Sequence, residues 1–309
     1  AGGRGLVMVF SGLLLWGAYQ YLRATSGTAA AVGGLALIVS LPRYVMLSFS
    51  VMIGLPALAL AMLALAALAH WRRRSSRGLL ALSAALLAFS VLIKGFTLVL
   101  LPAFAAGMLL DQEIGCPRRR LAMLLLWLSV FSVVTVAVVC LLVTPRGLGQ
   151  LLNPHLVARE IAFYKGITLA LALKPARNMF ILATAGILLA WSRKNRCALY
   201  PAFWALAAGL VLFFHRPVWT HQHLLVSLPA ALLAAEVFTA GPWLKRCLFV
   251  QGVNWRRRTA AVALSVAAAA MIGGQIRRTY RATARELGEK DEMLQSEDWR
   301  LTATMVRHA

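Results

Sequence analysis

The chain has 309 residues, 61% of them hydrophobic and only 14% charged, with a formal net charge of +22. Soluble domains carry charge on about a quarter of their residues, so this composition excludes an ordinary soluble core. The basic residues fall in short clusters between apolar runs rather than along one stripe, which excludes a nucleic-acid binder and points to the head groups of membrane lipids as partners of these clusters.

The apolar runs are continuous rather than alternating, which rejects a membrane β-barrel and predicts helices whose backbone bonds close within each segment. In chain order they cover 5–22, 27–41, 49–70, 79–93, 96–110, 121–143, 177–191, 198–214, 223–240 and 259–276. The run at 121–143 is long enough to cross a hydrocarbon layer of ~30 Å. The predicted fold is therefore all-α, a polytopic transmembrane bundle of about ten spans. The short runs at 27–41 and 79–93 suit helices packed inside it.

Lys and Arg in short loops set the orientation of such a bundle. Arg23 follows the first run, Arg72, Arg73, Arg74 and Arg77 the third, and Arg118, Arg119 and Arg120 the fifth. Arg193, Lys194 and Arg196 follow the seventh, and Lys245, Arg246, Arg256, Arg257 and Arg258 separate the ninth from the tenth. Placing these loops inside gives an unbroken alternation and leaves Arg4, Arg43, Lys94 and Arg216 at the outer ends. Trp71, Trp191, Trp243 and Trp255 flank the inner loops as interfacial anchors. Cys116, Cys140, Cys197 and Cys247 lack the spacing of a zinc site or a disulfide framework and read as small apolar residues.

Two segments lie outside the runs. Residues 144–176 form an outer loop, in which Asn153 and Pro154 predict the start of a surface helix over 154–165, with Gly166 as its stop. Residues 277–309 form a polar tail on the extracytoplasmic side. The domain reading is a transmembrane core over 1–276 and, over 277–309, the start of a further extracytoplasmic domain. The opening AGGRG and the closing MVRHA suggest a piece of a longer protein.

Polar groups at the outer face carry the functional reading, since charge beside hydrocarbon is costly. Lys94 stands between two apolar runs with Gly95 beside it; its bland role is to snorkel to the head groups. The stretch HRPVWTHQH holds His215, Arg216, Trp219, His221 and His223, a set able to bind a phosphate or sugar hydroxyls. The spacing of His221 and His223 fits no helical zinc motif, so no metal site is assigned. The outer loop adds His155, Arg159, Glu160 and Lys165. Glu160 is the only acidic residue in the outer loops, either a partner in a surface ion pair or a base.

Residues 3–70 resemble the membrane core of C-type, lipid-linked-sugar glycosyltransferases, the group of protein O-mannosyltransferases and aminoarabinose transferases. The resemblance is carried by Arg4 opening a span, by YQYLRATSG at 19–27 and by LPRYVMLSFSVMIGLPALALAMLALAAL at 41–68. FSVLIKGFTLVLLPA at 89–103 is similar to the family's LxK…LxLP helix pair, and HRPVWTHQHLLVSLPAALLAA at 215–235 to its late outer loop. The likeness spans most of the chain through weak motifs and hydropathy order.

The resemblance implies an inner (plasma) membrane enzyme whose site faces the periplasm or the outside. A polyprenyl-phosphate sugar is the donor, an acceptor lipid, glycan or protein supplies the hydroxyl, and no cofactor is called for. Lys94, Arg216, His221, His223 and His155 are then the expected donor-binding residues. The family's catalytic acid sits in an outer loop between its first two spans, which has no counterpart in this chain, so Glu160 is the catalytic candidate that remains. Without the family's acid, residues 1–309 alone are expected to show no turnover. Other readings are a transporter or flippase for lipid-linked sugar, or a glycan polymerase or ligase. Transporters favour mid-span charges and repeated halves, neither of which this chain has.

Overall fold

The structure, a computed structural model, describes residues 2–49, 54–142, 176–214, 220–241 and 255–295. Among these it is all-helical, with no strand. The elements are α1 (Gly2–Thr25), α2 (Thr28–Val39), α3 (Pro42–Phe49), α4 (Gly54–Arg74) and α5 (Arg77–Ile93), then a 3-10 turn (Gly95–Val99) leading into α6 (Leu100–Leu110). After a second 3-10 turn (Gln112–Ile114) come α7 (Pro117–Leu142) and α8 (Arg177–Ser192). A turn at Arg196–Ala198 enters α9 (Leu199–Phe214), one at Thr220–His223 enters α10 (Leu224–Ala234), and α10 tightens into a 3-10 stretch, Ala235–Ala240. The last helix is α11 (Trp255–Gln295).

Four helical stretches are long and apolar enough to cross a membrane: Gly3–Thr25, Gly54–Arg74, Pro117–Leu142 and Arg196–Phe214. The runs at 27–41, 79–93, 96–110, 177–191 and 223–240 form shorter apolar helices, including Thr28–Val39 and Leu224–Ala240. The run expected over 49–70 forms α4 from Gly54 onward, and a separate short helix, α3, precedes it over Pro42–Phe49. The run at 259–276 continues without a break through the expected tail boundary to Gln295. The tail is rich in Arg, Ala and Glu, good helix formers that sustain the turn. The surface helix expected at 154–165 lies outside the described residues.

Packing follows from small residues. In α4 the apolar window is 83% buried, whereas in α7 it is 17% buried, so α4 is the centre and α7 the lipid-type rim. α4 is built from alternating Leu and Ala, and α1 and α5 pack on either side of it. Where α1 meets α4, a Cβ on Gly17 would lie 3.0 Å from the Leu63 nitrogen, so only glycine allows that approach. At Gly186 of α8 an added Cβ would overlap the Leu233 carbonyl of α10. Such backbone proximity is how helices associate where lipid removes the hydrophobic drive.

Polar contacts add to this. Ser90 Oγ donates to the Ala57 carbonyl at 2.7 Å, tying α5 to α4. Ser11, Tyr44 and Ser48 share hydroxyl contacts of 2.6 and 2.9 Å between α1 and α3.

Candidate functional site

The Lys94 turn is pinned from several directions. α5 stops as Lys94 turns extended (φ −152°, ψ 112°). Its N–H donates to Ser90 O at 3.1 Å, and its carbonyl accepts from the Thr97 N–H at 3.1 Å and the Thr97 hydroxyl at 3.0 Å. Thr97 also accepts from Ser90 Oγ at 3.0 Å, so the turn is joined to the same serine that holds α5 to α4. The Lys94 ammonium lies 5.1 Å from the centre of the Phe96 ring. It faces the start of α4, where a Cβ on Gly54 would sit 3.6 Å from Nζ. Burial lowers the Lys94 pKa from its ordinary value. A Cβ on Gly95 would meet nothing within 4 Å, so the backbone beside Lys94 borders open space.

His223 ends the turn Thr220–His223 and caps α10, and its side chain is 2% exposed. Its carbonyl accepts from Ser227 Oγ at 3.0 Å. His221 belongs to the same turn. That turn rests on α3 and α10, whereas the Lys94 turn rests on α4, α5, α6 and α9. Arg216, His155 and Glu160 lie outside the described residues.

Reading the sequence missed two polar clusters at the opposite ends of the helices. In the first, Arg72 at the end of α4 reaches Asp111, with Nε 2.5 Å from Oδ2 and Nη2 3.2 Å from Oδ1. Its Nη2 also lies 2.7 Å from Glu113 Oε2. Asp111 is fully buried and caps the turn through the Glu113 N–H at 3.1 Å, while the Tyr200 hydroxyl approaches its Oδ2 at 3.5 Å. Arg72 further donates to Cys197 Sγ, and Tyr21 OH donates to the Cys197 carbonyl at 2.7 Å. Burial raises the Asp111 pKa, and Arg72 opposes that rise.

In the second cluster, Glu236 accepts from Ser26 Oγ and from Asn195 Nδ2, the latter at 3.0 Å, with Arg193 3.9 Å away. The signal available in the sequence was an acidic residue ending or interrupting an apolar run, which demands a partner. The partners themselves lie 39 and 210 residues away.

These features define a class, an all-helical bundle with membrane-type helices, polar turns at one end and ion-paired clusters at the other. No protein-family model, curated protein or solved structure matches the chain.

Proposed function

We propose that the protein is a multi-pass plasma-membrane glycosyltransferase that takes its sugar from a polyprenyl phosphate at the extracytoplasmic face. The observation that carries this reading is Lys94, an ammonium held in a pinned turn between Phe96 and Gly54, beside the open backbone of Gly95. In the proposed reaction the acceptor oxygen attacks the anomeric carbon, and the bond from that carbon to the phosphate oxygen breaks. The bonding pair leaves with the lipid phosphate, and the acceptor proton passes to a base, for which Glu160 is the candidate.

Lys94 then acts on the leaving phosphate. Negative charge grows on the bridging oxygen as the sugar departs, and a cation beside it stabilises the transition state more than the ground state. Its partial burial supports this reading, because an ammonium in a poorly solvated turn interacts more strongly with an anion. Arg216, His221, His223 and His155 are proposed to hold the rest of the donor.

The test is substitution of Lys94 in the full-length enzyme. A hydrogen bond to a charged group is worth ~1.5–3 kcal/mol, so Lys94→Gln should cost about 10- to 150-fold in turnover, and Lys94→Arg should keep part of it. Wild-type donor affinity and turnover in Lys94→Gln would return Lys94 to the role of an interfacial anchor.

A further inference from the structure

A second site lies at the other end of the bundle, and it depends on the membrane reading but not on the glycosyltransferase. Where α8 ends and α9 begins, a half-open groove of about 380 Å³ opens between the helices. Ile187, Ala190 and Ala202 line it with apolar atoms, together with Trp191, Lys194 and Arg196. We propose that this groove binds the anionic head group of a phospholipid, with Lys194 and Arg196 on the phosphate and the acyl chains running along α8 and α9.

Three cations stand within four residues here, and they are not equivalent. Arg193 faces the buried carboxylate of Glu236 at 3.9 Å. Among the described residues no acidic side chain pairs with Lys194 or Arg196, yet both line the groove. Two cations lining one cavity, with no acidic partner among the described residues, complement an anion.

α8 ends in a Schellman motif, in which Asn195 N–H donates to Ala190 O at 2.9 Å and Lys194 N–H to Trp191 O at 3.0 Å. The motif requires a left-handed residue, which is usually glycine. Here that residue is Lys194, at φ 57°. A lysine at a position suited to glycine carries local strain, and strain of this kind collects at ligand sites.

The surface around the groove favours a lipid over a free phosphate. Trp191 is 74% exposed, as expected of an aromatic at the head-group level. Beside the groove Leu188 is 67% and Leu206 59% exposed, an apolar surface on α8 and α9 suited to acyl chains. The cluster belongs to the inner side in the basic-loop orientation, and the cytoplasmic leaflet is the anionic one.

The experiment titrates the purified full chain in detergent with dioleoyl phosphatidylglycerol, dioleoyl phosphatidylcholine and glycerol phosphate, counting bound molecules by native mass spectrometry. For two cations at a membrane surface the first phosphatidylglycerol should bind roughly 30-fold more tightly than phosphatidylcholine. Arg196→Gln combined with Lys194→Gly should abolish most of that preference. Lys194→Gly alone should lose about fivefold in phosphatidylglycerol affinity while the unfolding temperature stays level or rises, since glycine relieves the left-handed strain. Equal binding of the two lipids, or a preference that survives the double substitution, would overturn the proposal. Glycerol phosphate binding as tightly as phosphatidylglycerol would overturn the lipid assignment in favour of a soluble phosphate.

Discussion

Removing the carboxylate of Asp111 should destabilise the bundle far more than removing that of Glu113, although both touch the same guanidinium. Asp111 is fully buried, and the Arg72 side chain is 11% exposed, whereas the Glu113 side chain is 65% exposed. Breaking one partner of a buried ion pair strands the other charge and costs ~3–5 kcal/mol. Arg72 keeps its 2.7 Å contact to Glu113 and its contact to Cys197, so Asp111→Ala should fall near the low end, about 3 kcal/mol. An exposed pair such as Arg72–Glu113 contributes ~0–1 kcal/mol, so Glu113→Gln should be close to neutral. Replacing the pair together, Arg72→Met with Asp111→Leu, should recover much of the loss, because apolar replacement of a buried pair is often neutral. Reversible unfolding in mixed micelles, read by helical circular dichroism, measures all three. Equal effects of Asp111→Ala and Glu113→Gln, or a double variant no better than Asp111→Ala, would refute the reasoning.

The remaining predictions concern packing, titration and topology. Gly186→Val should destabilise by ~1–3 kcal/mol or more, because its side chain meets the Leu233 carbonyl of α10; thermal unfolding checks it. Ser90→Ala should cost about 0.6 kcal/mol, the average of an interhelical hydrogen bond in a membrane protein, in the same assay. Lys94 has its pKa lowered by burial, and a bound anionic donor would raise it again. Donor affinity should therefore fall as pH rises through the lowered value of the free protein. Lys94→Arg should remove that fall, as read by donor titration across pH. A single cysteine at Ser75, in a background without the four native cysteines, should resist an impermeant reagent applied from outside.

The helices were legible in the sequence because continuous apolar runs report a local requirement, backbone satisfaction within each segment. The run at 177–191 became Arg177–Ser192, and 121–143 became Pro117–Leu142, extended back by Pro117 at a helix start. The Arg72–Asp111 pair was not legible. Each residue stands at the end of its own run, and only the packing of α4 against neighbouring helices brings them together. Glu236 reads as an oddity in an apolar helix until Ser26 and Asn195 are folded beside it. The length of α11 was hidden by the change from apolar to polar composition at 277, which marks a change of surroundings rather than of secondary structure. Of the predicted donor-binding residues, Lys94 and His223 were placed at turns by the runs around them. The distance between those two turns is a property of the assembled bundle.

The most direct test of the proposed function is binding of a polyprenyl-phosphate sugar to the chain in lipid nanodiscs. A panel of short-chain polyprenyl-phosphate hexoses and pentoses, each with a photoreactive lipid tail, would be titrated and competed with the free polyprenyl phosphate. The account predicts saturable labelling by at least one member, competed by polyprenyl phosphate and weakened by Lys94→Ala, by less than the ~10- to 150-fold loss expected in turnover. Labelling that does not saturate for any member, or saturable labelling untouched by Lys94→Ala, would contradict it.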